Sequence, residues 1–254
     1  MNEWTMDRWK YFDITHRDHV LCNPTTVEKL DELIGLLQLE RGASVLDIAC
    51  GKAEMLVRLA DAHDVNGVGV DKSPFHIADA VANCEARVPK AELDFILGDG
   101  ADYLPAAAES FDLAACIGAS WVFGGHRGTL RALKAMVKPG GMVMAGEPYW
   151  IHEPNPEHLA AEGFDRDQYG THGGNVKIGE EEGLTLLYTM VSNQDDWDRY
   201  EGLQWRAAAD YALKNPDDPD LPEVLSRVAK GRDSYLSWGR DDFGWAIYLF
   251  RKRD

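Results

Sequence analysis

The sequence predicts an α/β fold, a doubly wound open sheet, from three observations. Between residues 44 and 145 short apolar runs alternate with segments of helical periodicity, the order that a parallel sheet requires. The run Val45-Leu46-Asp47-Ile48-Ala49-Cys50-Gly51-Lys52-Ala53-Glu54-Met55-Leu56 reads as a buried strand stopped by a small-residue turn, with a helix starting at once. Asp71 ends the next apolar run about 20 residues on, the spacing at which a carboxylate reaches ribose hydroxyls. Gly51 lets a ligand approach the backbone, and the amides opening the helix can receive a carboxylate or a phosphate. The unit is therefore expected to hold a nucleoside-containing cofactor.

Taken in order, the elements follow from local chemistry. After an aromatic-rich start (Trp4, Trp9, Tyr11, Phe12), Asn23-Pro24-Thr25 breaks the chain, and Thr25-x-x-Glu28 forms a capping-box pattern for a helix through about Leu39. Strand one covers about 44 to 49 and its helix about 53 to 62; strand two covers 66 to 70. Ser73-Pro74 supplies an N-cap and a first-turn proline for the next helix. Strand three is Leu93 to Leu97, strand four Leu113 to Ile117, and a helix over about 127 to 137 leads into strand five, Met142 to Ala145. Residues 151 to 175, rich in His, Pro, Gly and charge, read as a surface excursion or lid. Leu184 to Val191 and Phe243 to Phe250 read as strands, separated by a helical polar-aromatic stretch interrupted at Asn215 to Pro219. The organisation expected is an N-terminal helical segment (1–42), a core (43–193), a helical cap inserted at 194–240 and a final core strand (241–254).

The 254 residues carry a formal net charge of −17, which argues against nucleic acid, since phosphate neutralisation needs Lys and Arg and only Arg251-Lys252-Arg253 clusters them. Cys22, Cys50, Cys84 and Cys116 are scattered without Cys-x-x-Cys, which points to a reducing compartment and no zinc site. The start lacks a basic region followed by an apolar one, and no apolar run approaches about 18 residues. A soluble, cytoplasmic protein that needs no membrane is the expectation.

Asp47-Ile48-Ala49-Cys50-Gly51, Asp71, Gly98-Asp99-Gly100, Phe111-Asp112-Leu113 and Leu133 through Gly141, in this order and spacing, resemble the class I S-adenosylmethionine-dependent methyltransferases. Gly118-Ala119-Ser120-Trp121 with Gly146-Glu147-Pro148-Tyr149-Trp150 is similar to a largely uncharacterised bacterial branch that acts on small molecules. The resemblance implies a Rossmann-like sheet of seven strands, the last antiparallel and inserted beside strand five, with S-adenosyl-L-methionine as cofactor. It implies that Asp47, Ala49, Cys50 and Gly51 line the methionyl end and that Asp71 accepts from the ribose hydroxyls. Lys72 would border the adenine, Asp99 would take its amino group, and Gly100 would leave room for the ring. Ile117, Gly118 and Ala119 would border the transferable methyl. One departure is visible: the family often has a glycine two places after the first, where this chain has Lys52-Ala53. A β-carbon at 53 is tolerable if that residue is already helical.

Several of these residues have a plainer reading. Asp71 fits a helix-initiating turn and Asp99 an N-cap; Cys50 and Cys116 fit small core residues. Trp121, Tyr149 and Trp150 fall after strands four and five, at the edge where such sheets bind ligands, and with Tyr200 are candidates for substrate contact. Glu147, at an apolar strand end, is a ligand acceptor, a base or an internal ion-pair partner; His126, at a helix start, is the other candidate base. His152, His158 and His172 have no metal-ligand spacing, and no metal is expected. Methyl transfer from a sulfonium is an in-line displacement that positioning alone can promote, with a base needed when the small-molecule acceptor is a phenol or an ammonium. A nicotinamide-dependent oxidoreductase shares the glycine turn and the acidic residue, but Gly-x-Gly-x-x-Gly is missing here. A non-catalytic cofactor-binding or scaffold protein is the alternative of another class.

Overall fold

The computed structural model describes residues 4–253; the first three positions of the N-terminal segment and the last of the final strand segment lie outside the described residues. Seven strands form one sheet: β1 (Ser44–Ile48), β2 (Asn66–Asp71), β3 (Leu93–Leu97), β4 (Phe111–Ile117), β5 (Val137–Trp150), β6 (Leu184–Ser192) and β7 (Phe243–Lys252). Their order is β3-β2-β1-β4-β5-β7-β6. β1 to β5 run parallel, and β7 lies antiparallel between β5 and β6. The order reverses between β1 and β4, so their carboxyl ends open a crevice.

The two faces of the sheet are covered by different helices. Helix α2 (Val27–Leu37) sends Leu30, Leu33, Ile34 and Leu37, and α3 (Glu54–His63) sends Leu56 and Leu59, onto one face with Ala80 of α4 (Pro74–Arg87). On the other face Leu130 and Leu133 of α5 (His126–Met136) meet Leu46, Ile48, Val143, Tyr248 and Phe250. The strand residues alternate between these clusters as pleating requires: Met142 and Met144 on the first face, Val143 and Ala145 on the second.

The α2 N-cap is Thr26, whose hydroxyl accepts from Lys29 N at 3.3 Å, one residue later than the capping box predicts. Thr25 is engaged elsewhere, its Oγ1 accepting from Trp245 Nε1 at 3.0 Å. β5 is far longer than Met142 to Ala145, because β7 pairs with it from Met142 through Trp150. Pro148 is tolerated there because β4 has already ended, opposite Gly146, leaving no neighbour on that side to need its N–H.

Three helices go beyond the sequence reading. Helix α1 (Arg8–His16) starts at Asp7, whose carboxylate accepts from Trp9 N. Within 151–175, read as an excursion, α6 (Pro156–Glu162) and the start of α7 (His172–Glu181) are helical. The excursion is pinned by buried His158, whose Nδ1 lies 2.6 Å from Asp242 Oδ2. The inserted stretch forms α8 (Gln194–Lys214), opened by a reciprocal Asn193/Asp196 capping box, and α9 (Leu221–Ser234), with the break falling at Asn215 to Asp220. Helix α7 lies so close to β7 that a Cβ on Gly179 would stand 2.3 Å from Phe250 Cε1, and Phe250 is fully buried. Gly179→Ala is expected to cost about 1–3 kcal/mol, seen as a fall of several degrees in the thermal unfolding midpoint, whereas Gly173→Ala, where nothing stands near, leaves the midpoint unchanged or raises it.

Candidate active site

The turn after β1 is shaped by left-handed backbone at Ala49 (φ 58°), Gly51 (φ 54°) and Ala53 (φ 58°). Gly51 is where a side chain would matter: its Cβ would meet only Cys22 Sγ, at 3.8 Å, and would otherwise project into open space at the cavity. Ala53 is not helical, as its methyl would prefer, but holds the left-handed N-cap position of α3 with that methyl fully buried. The intervening Lys52 turns away, its Nζ donating to the carbonyls of His16 (2.9 Å) and Arg17 (3.2 Å), so the glycine turn holds the end of α1.

Asp71 locks this turn to the next. Its Oδ2 accepts from Gly51 N at 2.9 Å and its Oδ1 from Ser73 N at 2.8 Å, with His76 Nδ1 3.7 Å from Oδ1. Each oxygen keeps a lone pair for a ligand hydroxyl. Asp47 is buried beside a small void of about 50 Å³ also lined by Ala49, Cys50 and Gly51, and makes no hydrogen bond among the described residues. Burial, reinforced by the Asp71 charge, pushes its carboxyl well above the usual range, a condition that an arriving ammonium would relieve. At the far rim Lys72 Nζ lies 2.6 Å from Asp99 Oδ2 and holds the Asp99 carboxyl below its ordinary range, while Asp99 Oδ1 accepts from Ala101 N. Glycine at 100 is required by the sheet in its own right, since a Cβ there would stand 2.4 Å from Ile48 Cγ2.

A cavity of about 250 Å³ at the carboxyl edge of the sheet collects Ala49, Gly51, Asp71, Lys72, Asp99, Gly100, Ile117, Gly118 and Ala119 on one side. Asp47 and Cys50 reach the adjoining small void, which shares Ala49, Gly51 and Ile117 with it. Gly118 (φ 86°) and Gly146 rest on the indole of Trp245, as their Cβ atoms would stand 3.2 and 2.8 Å from it. The opposite wall comes from outside the sheet: Trp9, Phe12 and His16 of α1, Tyr200 and Gln204 of α8, and Trp121. His16 Nε2 lies 3.0 Å from Tyr200 Oη. The Arg8 guanidinium spans the rings of Trp9 (4.9 Å) and Trp121 (5.9 Å).

Four predicted residues are not on this wall. His126 packs in the second-face core, Nε2 3.2 Å from the Asn175 carbonyl and its ring against Tyr248, and burial lowers it to about 4. Tyr149 lies over Gly244 and beside His172. Trp150 is buried, stacked on Phe243 with its indole N–H donated to the Arg166 carbonyl. Glu147 is buried near Ser120, with Oε2 unpartnered among the described residues, and burial raises it to about 7. The α1 contribution went unread although Trp9, Phe12 and His16 recur at i, i+3 and i+7, one helical face. Trp245 sits in a strand that reads as continuously buried, so nothing in the sequence separates it from the core.

A Methyltransferase domain matches residues 45–141, the part that carries the glycine turn, Asp71 and Asp99. The Escherichia coli protein YjhP is 34% identical over 98% of this chain and 100% of its own. A crystal structure of an S-adenosylmethionine-dependent methyltransferase from Geobacter sulfurreducens in complex with S-adenosyl-L-homocysteine superposes with a TM-score of 0.90 at 31% identity, over 96% of this chain and 98% of that one. The O-methyltransferase rstn1 of Aspergillus nomiae is 30% identical over 59% of this chain and 66% of its own. The chain belongs to the class I S-adenosylmethionine-dependent methyltransferases. It is an enzyme of that family, and its cofactor is S-adenosyl-L-methionine.

The raised Glu147 carboxyl has a consequence for pH. Between about 4.5 and 7 the unfolded chain has lost this proton while the folded chain keeps it, so Glu147 lowers stability as pH rises through that window. Glu147→Gln should therefore gain on the parent by on the order of 2–3 kcal/mol between pH 4 and pH 8, read from denaturant unfolding of both at each pH.

Proposed function

We propose that the enzyme methylates a small molecule enclosed between the carboxyl edge of the sheet and a cover made by α1, α8 and the loop at Trp121, chiefly by positioning. The observation that carries this reading is the junction of the two halves of the cavity: the family's cofactor residues on one side, a nearly continuous aromatic wall on the other. When bound, the cofactor supplies an electrophilic methyl on a sulfonium. Asp47, Ala49, Cys50 and Gly51 hold its methionyl end, Asp71 its ribose, Lys72 and Asp99 its adenine edge, and Ile117, Gly118 and Ala119 the side facing the methyl. Trp121 and Tyr200 border the acceptor, and the aromatic wall keeps water from the cation.

The charge of −17 supports a small acceptor over nucleic acid, and no helix of the described residues is long and apolar enough to cross a membrane. With His126 and Glu147 off the wall, the nucleophile's alignment matters more than either as a base. Asp71→Ala should weaken S-adenosyl-L-homocysteine about 10- to 100-fold in calorimetry, because a ribose partner and the grip on Gly51 N are lost together. Asp112→Ala, which frees only Ser44 N and Lys138 at the other end of the sheet, should bind like the parent. Equal affinity in all three would remove Asp71 from the cofactor site.

A further inference from the structure

The wall built by α1 and α8 carries a pair of polar groups whose hydrogens can be counted. His16 Nε2 and Tyr200 Oη, 3.0 Å apart, both belong to residues lining the cavity. Behind them His16 Nδ1 lies 3.0 Å from Thr15 Oγ1, and Thr15 Oγ1 lies 3.0 Å from the Tyr11 carbonyl. Two oxygens at that distance need a hydrogen between them, and a carbonyl has none, so the single hydroxyl hydrogen of Thr15 goes to Tyr11. The hydrogen between Thr15 and the ring must then come from the ring. His16 is thereby the Nδ1–H tautomer with a lone pair on Nε2, and Tyr200 donates its hydroxyl hydrogen to that lone pair. Burial pushes His16 down to about 3, so this arrangement persists through neutral pH. From the other side His19 Nε2, 2.9 Å from the Tyr200 carbonyl, fixes the same residue by its backbone.

With its only hydrogen committed to His16, Tyr200 Oη has lone pairs alone to offer a ligand in the cavity that Tyr200 lines. We propose that this oxygen selects a hydroxyl compound as methyl acceptor, holding its O–H, and that His16 is the positioning residue that keeps Tyr200 an acceptor. The inference rests on the methyl-transfer reading and deepens it to a substrate class. The surrounding walls agree: Trp9, Phe12 and Trp121 offer apolar ring faces, and no carboxylate joins them on that side as counter-charge for a protonated amine. An amine held as a cation has hydrogens to give but no lone pair for the methyl; a hydroxyl gives its hydrogen to Tyr200 and retains two, and as its O–CH3 bond forms and the cofactor's C–S bond breaks, its proton passes to Tyr200 Oη while the Tyr200 hydrogen passes to His16 Nε2.

The test uses the full chain and two probes of similar size, phenol and fluorobenzene, titrated by NMR into protein loaded with S-adenosyl-L-homocysteine. Phenol should bind about three- to tenfold more tightly than fluorobenzene to the parent, and Tyr200→Phe should bind both alike. His16→Gln, whose amide oxygen can replace the Nε2 lone pair, should keep the preference; His16→Leu should lose it. Independently, 15N NMR of histidine-labelled protein without ligand should show His16 protonated at Nδ1 and bare at Nε2, a signature that a merely space-filling histidine does not require. Equal affinities in the parent, a preference surviving in Tyr200→Phe, or a proton on Nε2 would each overturn the proposal. Failure of S-adenosyl-L-homocysteine to bind would instead count against the cofactor site, and the tautomer would still decide this inference.

Discussion

The grip of Asp71 on two backbone amides organises everything at the working edge of the molecule. One carboxylate accepts from Gly51 N, beyond β1, and from Ser73 N, at the mouth of α4, so the turns after two neighbouring strands are fixed by the same side chain. The cost of burying that charge is offset by hydrogen bonds made to its charged form. The turn is held further by left-handed backbone at Ala49, Gly51 and Ala53 and by hydrogen bonds from Cys50 N to the Val70 carbonyl and from Ala53 N to the Cys50 carbonyl. A ligand meets a surface shaped before it arrives, and ordering entropy is spent in folding rather than in binding.

The sheet supplies only one wall of the cavity. The other is assembled from α1, which precedes the core, and α8, which is inserted late in it, and the two helices meet through His16, His19 and Tyr200. Lys52 joins the walls, since a residue of the glycine turn caps the last carbonyls of α1. In the proposed function the sheet edge therefore serves the cofactor, and α1 and α8 serve the acceptor.

How much of this was legible follows the same division. Strand ends and their acidic residues could be read because β1 to β4 announce themselves as apolar runs bounded by glycine and aspartate, and the sheet keeps each end in register with its neighbour. Asp47, Asp71 and Asp99 could be placed beside the cavity and its adjoining void for that reason. Helix α6 carries Asn155-Pro156, the same start signal as Ser73-Pro74, yet was masked by the polar composition around it. Helix α7 was hidden by Gly173, Gly174 and Gly179, poor helix formers, the last of them required by Phe250. Trp150 was misplaced because a strand end tells which residues approach the edge, not which face of the sheet each one leaves by, and His126 because a helix start does not tell which way its first side chain turns. Gly100 carries a second constraint that the sequence did not show, since a Cβ there would meet Ile48.

The placement of β7 bears on how the molecule is made. It is the last of the seven strands along the chain, yet it lies between β5 and β6, and among the described residues β6 pairs with the sheet only through it. During synthesis from the amino end, β5 is left as a long open edge and β6 has no strand to join until β7 emerges. Leu187, Tyr188 and Val191 of β6 are exposed even in the finished fold and more so before then. The half of the sheet around β5 thus closes by pairing across large sequence separations, the kind of contact that forms slowly. Trp245, the floor beneath Gly118 and Gly146, arrives with that same strand, so the cavity acquires its floor only when the sheet is complete.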